Sequence, residues 1–266
     1  MTRPLEGMLV ISVEHAVAAP LCSCRLADAG PRVIKIERPE GDFARGYDRA
    51  ARGQSSYFVW LNRGKESVVL DFKKPDDHAL LARLISRADV LVQNLTPGAM
   101  ARAGFDLEEL RGRHPRLVIC SISGYGETGP YRDMKSYDML IQAETGLASL
   151  TGPAEAPARV GASVTDIAAG LNDYTAILEA LIAAEFAGYS RGTLGERLKS
   201  VGIAFGNFNT VEDFSHHPHL RRIAVDTPEG PVRLPAAPAV FEEHRPSGRV
   251  PALGAHTAAI RAEFAK

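Results

Sequence analysis

The chain has 266 residues, 45% of them apolar and 24% charged, which suits one large folded domain with a small appendage and is too apolar for intrinsic disorder. Lys plus Arg number 31 against 32 Asp plus Glu, so there is no surplus of positive charge to neutralise nucleic-acid phosphates, and no nucleic-acid partner is expected. Cys22, Cys24 and Cys120 form no CxxC and leave one thiol over from any disulfide pairing, which fits a reducing, cytoplasmic setting and buried packing roles.

The N-terminal MTRPLEGMLVISVEHAVAAP carries an apolar stretch that Glu14 and His15 interrupt. It is too short for a membrane span and has no signal-peptide pattern, so it reads as a first strand, Met8 to Val13, with no membrane expected. A helix from Pro20 to Gly30 and a second strand, Val33 to Ile36, complete a β-α-β unit. The alternation goes on with a strand at Ser67 to Leu70, a helix at Asp76 to Arg87, strands at Val90 to Gln93 and Leu117 to Ser123, and the helical Leu107 to Arg113 between them. Apolar runs separated by helices predict a Rossmann-like, doubly wound α/β fold with a mainly parallel sheet, whose ligands sit at the carboxyl ends of the strands. After the turn cluster GYGETGPYRD come a helix at Tyr137 to Leu147 and a longer one from Asp166, striped by Ile167, Leu171, Tyr174, Leu178 and Leu181. The domain expectation is a large α/β unit over 1–227, with 228–266 as an extended, proline-rich C-terminal segment packed on it.

The turn after the first strand, EHAVAAP, lacks the glycines of a dinucleotide fingerprint, so NAD binding is not expected. Glu37 reads as a strand-end charge, and Arg38 either as a surface ion pair or as a contact for an anion. Lys73, Lys74 and Arg102 follow strand ends, where basic groups from separate loops would converge on a ligand with several phosphates. Asn94 fits the same crevice or an Asx turn before Pro97. Asp166 fits two roles. Ser163-Val-Thr-Asp166 has capping-box spacing, and a helix N-terminus with Gly161 and Gly170 near it would also keep a nucleophilic carboxylate ionised and approachable. Asp138 fits a first-turn helix acid. His216, His217 and His219 read as a surface turn rather than a metal site, and no metal is expected. There is no GxSxG elbow for a serine hydrolase.

Taken in order, VIKIERPEGD, SVVLDFKKP, VQNLTPGAMARAGF, ISGYGETGPYRD, KSYDMLIQAETGLASLTG and VGASVTDIAAG resemble the class III CoA-transferases, the family of the formyl-CoA and carnitine CoA-transferases. The likeness resumes in SVGIAFGNFNTVEDFSHHPHL, LPAAPAVF and PALGAHT. It implies an enzyme that moves CoA from an acyl-CoA donor to a free carboxylic acid, a small dicarboxylate of the succinate, itaconate or mesaconate kind, with no tightly bound cofactor. By resemblance Asp166 is the carboxylate that forms the covalent intermediate and Asp138 a second acid of the site. His15, Arg38, Leu70, Lys73, Asn94, Leu95, Ala99, Arg102 and Lys135 match positions that contact CoA. The α-methylacyl-CoA racemases resemble the chain through the same segments but carry His where Tyr137 stands, and a phenol with a pKa near 10 is a poor base at neutral pH. Family members insert a small domain, with a glycine-rich loop, which is expected to be missing here near 183–190, and they form an interlocked homodimer. A CoA-binding remnant without turnover is the remaining reading.

Overall fold

A computed structural model of the chain describes residues 3–236 and 249–264. They divide into two compact units, Met1–Ser190 and Arg191–Lys266. In the first unit the order is β1 (Leu9–Val13), α1 (Ala18–Ala29), β2 (Arg32–Glu37), a 3-10 turn at Phe43–Gly46, α2 (Ser56–Asn62), β3 (Glu66–Val69), α3 (Pro75–Ile85), β4 (Val90–Gln93), α4 (Ala99–Arg102), α5 (Leu107–Arg113), β5 (Val118–Ser121), α6 (Asp138–Glu144), α7 (Leu147–Leu150) and α8 (Val164–Ala187).

Local chemistry sets several of these bounds. α1 stops at Gly30, whose φ of 115° lets its N–H return to the Ala27 carbonyl. α3 starts on Pro75 with Asp76 and Asp77 in its first turn, and the Asp106 carboxylate accepts the Glu108 and Glu109 N–H groups to open α5.

The five strands are all parallel in the order β3-β2-β1-β4-β5. The chain winds outward from β1 to β3 on one side, then resumes at β4 on the other. The order therefore reverses between β1 and β4, which opens a crevice at their carboxyl ends. Along β1 the side chains alternate between faces: Ile11 and Val13 join Ile34, Leu81, Ile85, Leu91, Phe105 and Leu110 in one core, and Val10 joins Cys22, Leu26, Val33, Val92 and Ile177 in the other. Burying each such Val, Ile or Leu side chain contributes about 1.5–3 kcal/mol before entropy is counted. The fold is the doubly wound α/β architecture that the sequence predicts.

Two details of α8 differ from the sequence pattern. Its packed stripe is Ile167, Gly170, Tyr174, Ile177 and Leu181, while Leu171 is 44% exposed. Gly170 does not leave room for a substrate: a Cβ there would lie 2.5 Å from the Ala18 carbonyl oxygen, so its missing side chain lets α8 approach α1. α8 is also the one described helix long and apolar enough to cross a membrane by length and composition, but Ile177 on its inner face is buried in a core shared with α1 and the sheet.

The second unit contains α9 (Arg191–Ser200), α10 (Val211–Ser215), β6 (Arg222–Thr227), β7 (Gly230–Pro235) and α11 (Thr257–Glu263). β6 and β7 pair as an antiparallel hairpin that turns at Gly230. The break between units thus falls at Ser190–Arg191, ahead of the change in composition at Pro228, because pairing with β6 ties β7 to the residues before it. Residues 237–248, part of the expected extended segment, lie outside the described residues.

Candidate active site

A cleft of about 510 Å³ opens at the carboxyl ends of β1, β2, β3 and β4. It brings together five of the nine residues that the resemblance matches to CoA contacts: His15, Arg38, Leu70, Lys73 and Leu95. Ile36, Leu70 and Phe72 give it an apolar wall, and Arg38 and Lys73 stand at its rim. The Arg38 Nε donates to the Gly41 carbonyl at 3.0 Å and meets Glu40 only at 3.9 Å. Its terminal nitrogens make no hydrogen bond among the described residues. His15 lies against Phe43 with ring centroids 5.1 Å apart. Burial pushes its imidazole below the usual pKa, against the opposing pull of Asp42, so it is neutral at pH 7.

The turn after β1 is built by side chains rather than by glycines. Asn94, leaving β4, accepts from the His15 N–H at 3.0 Å and donates to the His15 carbonyl at 2.8 Å. Its amide is committed to bridging the β1–β4 crevice, which is neither an Asx turn nor a free ligand group. Ala16 sits in the left-handed region at φ 66° and donates its N–H to Asp42 Oδ1 at 3.1 Å. Beneath the turn is a buried set of charges. Glu14 Oε1 meets Lys65 Nζ at 2.7 Å and Lys35 Nζ at 3.4 Å, and Lys35 Nζ reaches Asp42 Oδ2 at 2.8 Å. Burial works against the Glu14 charge, but Lys65 and Lys35 overcome it and hold the carboxyl below its usual range. Glu37 is likewise more than a strand-end charge. Burial opposes its ionisation, yet the fork of Arg45, the Ser67 hydroxyl and the Asp42 N–H bring it down to about 2.

The two acids divide the roles that the sequence left open at Asp166. Asp138, 7% exposed at the start of α6, accepts through Oδ1 from the Thr165 N–H at 2.9 Å and from the Thr165 hydroxyl at 2.6 Å. Its Oδ2 accepts from Gln142 Nε2 at 2.7 Å, and Gln142 in turn accepts from the Val160 N–H at 2.7 Å. Asp138 therefore supplies the cap of α8 from another helix. The capping box anticipated from Ser163 to Asp166 does not form, and Ser163 makes no side-chain capping bond. Asp166 is left partly buried in the first turn of α8, with no hydrogen bond or ion pair among the described residues. Burial, with the Asp138 charge second, pushes its carboxyl up to about 6. The helix terminus does not hold it fully ionised, because loss of solvent outweighs the dipole here. Near pH 7 it is still mostly a carboxylate, with unoccupied lone pairs and more basicity than an ordinary Asp.

Neither acid lines the cleft. A row of aromatic contacts, His15 to Phe43, Phe43 to Tyr47 and Tyr47 to Tyr57, runs from the cleft wall toward them. Burial first, then Asp42, Asp166, Tyr137 and Tyr57, push the Tyr47 phenol up to about 12, so it keeps its proton. Ala99 begins α4 and Arg102 ends it, beyond the cleft wall at Leu95. Lys135 and Tyr137 are exposed on the connection into α6. Of the residues that the sequence did not single out, Gln142 was within reach of inspection, since it lies one helical turn from Asp138. The Glu14, Lys35, Asp42 and Lys65 cluster was not, because its members come from four separate segments.

The model of CoA-transferase family III matches residues 5–189, which takes in the cleft and both acids. Acetyl-CoA:oxalate CoA-transferase from Acetobacter aceti is 43% identical over 188 residues, 70% of this chain and 48% of that protein. Succinate–glutarate CoA-transferase from Agrobacterium fabrum is 41% identical over 188 residues, 67% of this chain and 47% of that protein. The chain thus spans about half the length of the curated relatives it matches. The crystal structure of a CAIB/BAIF family protein from Brucella suis superposes with a TM-score of 0.67 at 26% identity, covering 99% of this chain and 100% of that one. On the family match and the identities above, the chain belongs to CoA-transferase family III.

Proposed function

We propose that the protein transfers CoA from an acyl-CoA to a free carboxylate, with Asp166 as the acyl-carrying group. The observation that carries this reading is the Asp166 carboxylate itself: partly buried, unpaired and raised to about 6, while Asp138 meets the structural need at the same helix end. A carboxylate that folding has not employed is available as a nucleophile. In the proposed sequence an Asp166 oxygen attacks the thioester carbonyl carbon, the C–S bond breaks, and CoA leaves as thiolate. The thiolate attacks the aspartyl carbonyl of the mixed anhydride and releases the donor acid as its carboxylate. The acceptor carboxylate then attacks the aspartyl thioester, and the thiolate recaptures the acceptor acyl group, which restores Asp166. Negative charge moves between oxygen and sulfur throughout, so no proton has to be delivered.

Binding falls to the cleft, with an apolar wall at Ile36, Leu70 and Phe72 for the adenine and cations at Arg38 and Lys73 for phosphates. A small dicarboxylate is the proposed acceptor, supported by relatives whose names specify oxalate or succinate and glutarate. Assembly as a homodimer belongs to the same proposal, supported by the apolar outer side of α8, where Leu171, Ile182 and Phe186 are exposed. The test is Asp166→Ala assayed for CoA exchange between acids and, separately, for CoA binding. The expected result is exchange abolished with binding retained, and hydroxylamine, added with acyl-CoA, displacing the bound acid or CoA thiolate to leave a hydroxamate on Asp166 of the parent protein, with no such modification in the variant. Exchange surviving in the variant would refute the role. Deuterium entering the acyl α-carbon without exchange would support a racemase instead, and binding with neither reaction would leave a nucleotide-binding protein.

A further inference from the structure

Arg102 and Arg132 come from separate segments, the end of α4 and the connection into α6, and they meet over Gly98. The point where a Cβ on Gly98 would lie is 3.0 Å from Arg102 Nη1 and 3.4 Å from Arg132 Nη2. Two guanidinium groups whose terminal nitrogens both approach one point repel, and little in the fold compensates them. Arg102 donates to the Pro97 carbonyl at 3.3 Å and has no ion pair among the described residues. Arg132 has a loose contact with Asp133 at 3.8 Å, and its Nε is buried without a hydrogen-bond partner. A buried N–H left unpaired beside a second cation is a site short of an acceptor. The backbone at Gly98 also has a φ of 74°, and any side chain there would enter the space between the two forks.

The pair adjoins the cleft by way of the chain itself, since Leu95 lines the cleft wall and Gly98 follows three residues later. It lies on the β4 side of the crevice, whereas Arg38 and Lys73 lie on the β2 and β3 side. Arg132 also belongs to the connection that runs into Asp138.

We propose that Arg102 and Arg132 together seat the diphosphate of a CoA-type thioester, Arg132 being a binding residue in its own right. This rests on the function proposed above. Planar forks suit phosphate oxygens, and the diphosphate stands between the nucleoside and the acyl-bearing arm that must reach Asp166.

The test is calorimetric titration of the full chain, Arg132→Gln and the control Arg111→Gln with CoA, dephospho-CoA and inorganic pyrophosphate. Arg111 pairs with Glu108 on the exposed side of α5. Arg132→Gln should weaken CoA and dephospho-CoA alike, by about tenfold, while Arg111→Gln matches the parent. Unchanged affinity in Arg132→Gln, or a loss confined to CoA and so to its 3′-phosphate, would overturn the diphosphate seat while leaving CoA binding intact. A parent chain that binds no CoA would instead sink the proposed function. The seat then stands if the parent binds pyrophosphate and Arg132→Gln does not, and falls otherwise.

Discussion

Replacing Asp166 by Asn should stabilise the protein above pH 6 and abolish transfer. The carboxyl goes from its ordinary value of 3.8 to about 6 in the folded chain. A raised folded pKa means that the native state holds the proton more tightly than the unfolded one. The resulting stability is fully present below pH 3.8 and is lost as the pH rises through 6. A shift of about two units corresponds to roughly 3 kcal/mol. The side chain is partly solvated, and discounting for screening leaves about 1–2 kcal/mol of strain at pH 8. Asn has nearly the same shape and no charge, so it should recover that amount, about 3–6 °C in melting temperature for a domain of this size. Urea unfolding of both proteins at pH 8 and pH 4.5 measures it. The Asn variant should be more stable at pH 8, with most of the gain gone at pH 4.5. An equal gain at both pH values, or a less stable variant at pH 8, would show that the carboxylate is not held under strain.

Asp138→Asn should shift the acid limb of the transfer rate to lower pH, since the neighbouring charge that helps raise Asp166 is removed. It should also lower stability by about 1–2 kcal/mol through loss of the charged cap on α8, and an unmoved limb in a pH-rate profile would argue against coupling of the two acids. Gly170→Ala should cost about 1–3 kcal/mol, because a methyl 2.5 Å from the Ala18 carbonyl oxygen forces α1 and α8 apart. Thermal melts that match the parent would mean the helices do not depend on that close approach.

The sheet was legible in the sequence because every β-α-β step announces itself locally, in apolar runs such as Leu9–Val13 and Val90–Gln93 and in stops such as Gly30. Parallel order and the crevice between β1 and β4 follow from that alternation by general rules of winding. What stayed hidden depends on contacts between distant segments. Ser163 has the spacing of a cap, but Thr165 is held by Asp138, 27 residues earlier, and no local pattern reports this. The α8 stripe was misread at Leu171 because a glycine counts for nothing in a hydrophobic pattern, even where the tightest helix contact forms. Asn94 suited either the crevice or a turn, and its bond to His15 spans 79 positions. Arg132 gave no signal at all, since its meaning comes only from the arginine it faces.

The absence of glycine after β1 has a consequence for how anions are held. In a glycine-rich turn the backbone amides point at the phosphate, and their partial charges are rigid and permanent. Here the His15 and Ala16 amides are already engaged by Asn94 and Asp42, so under the binding proposed above an anion in the crevice would be gripped by long cationic side chains near its rim. Such a grip is screened by salt, with a Debye length of about 8 Å at physiological ionic strength. Affinity for anions should therefore fall steeply as salt rises, and a spent ligand can leave by the swing of a side chain while the strand ends stay fixed.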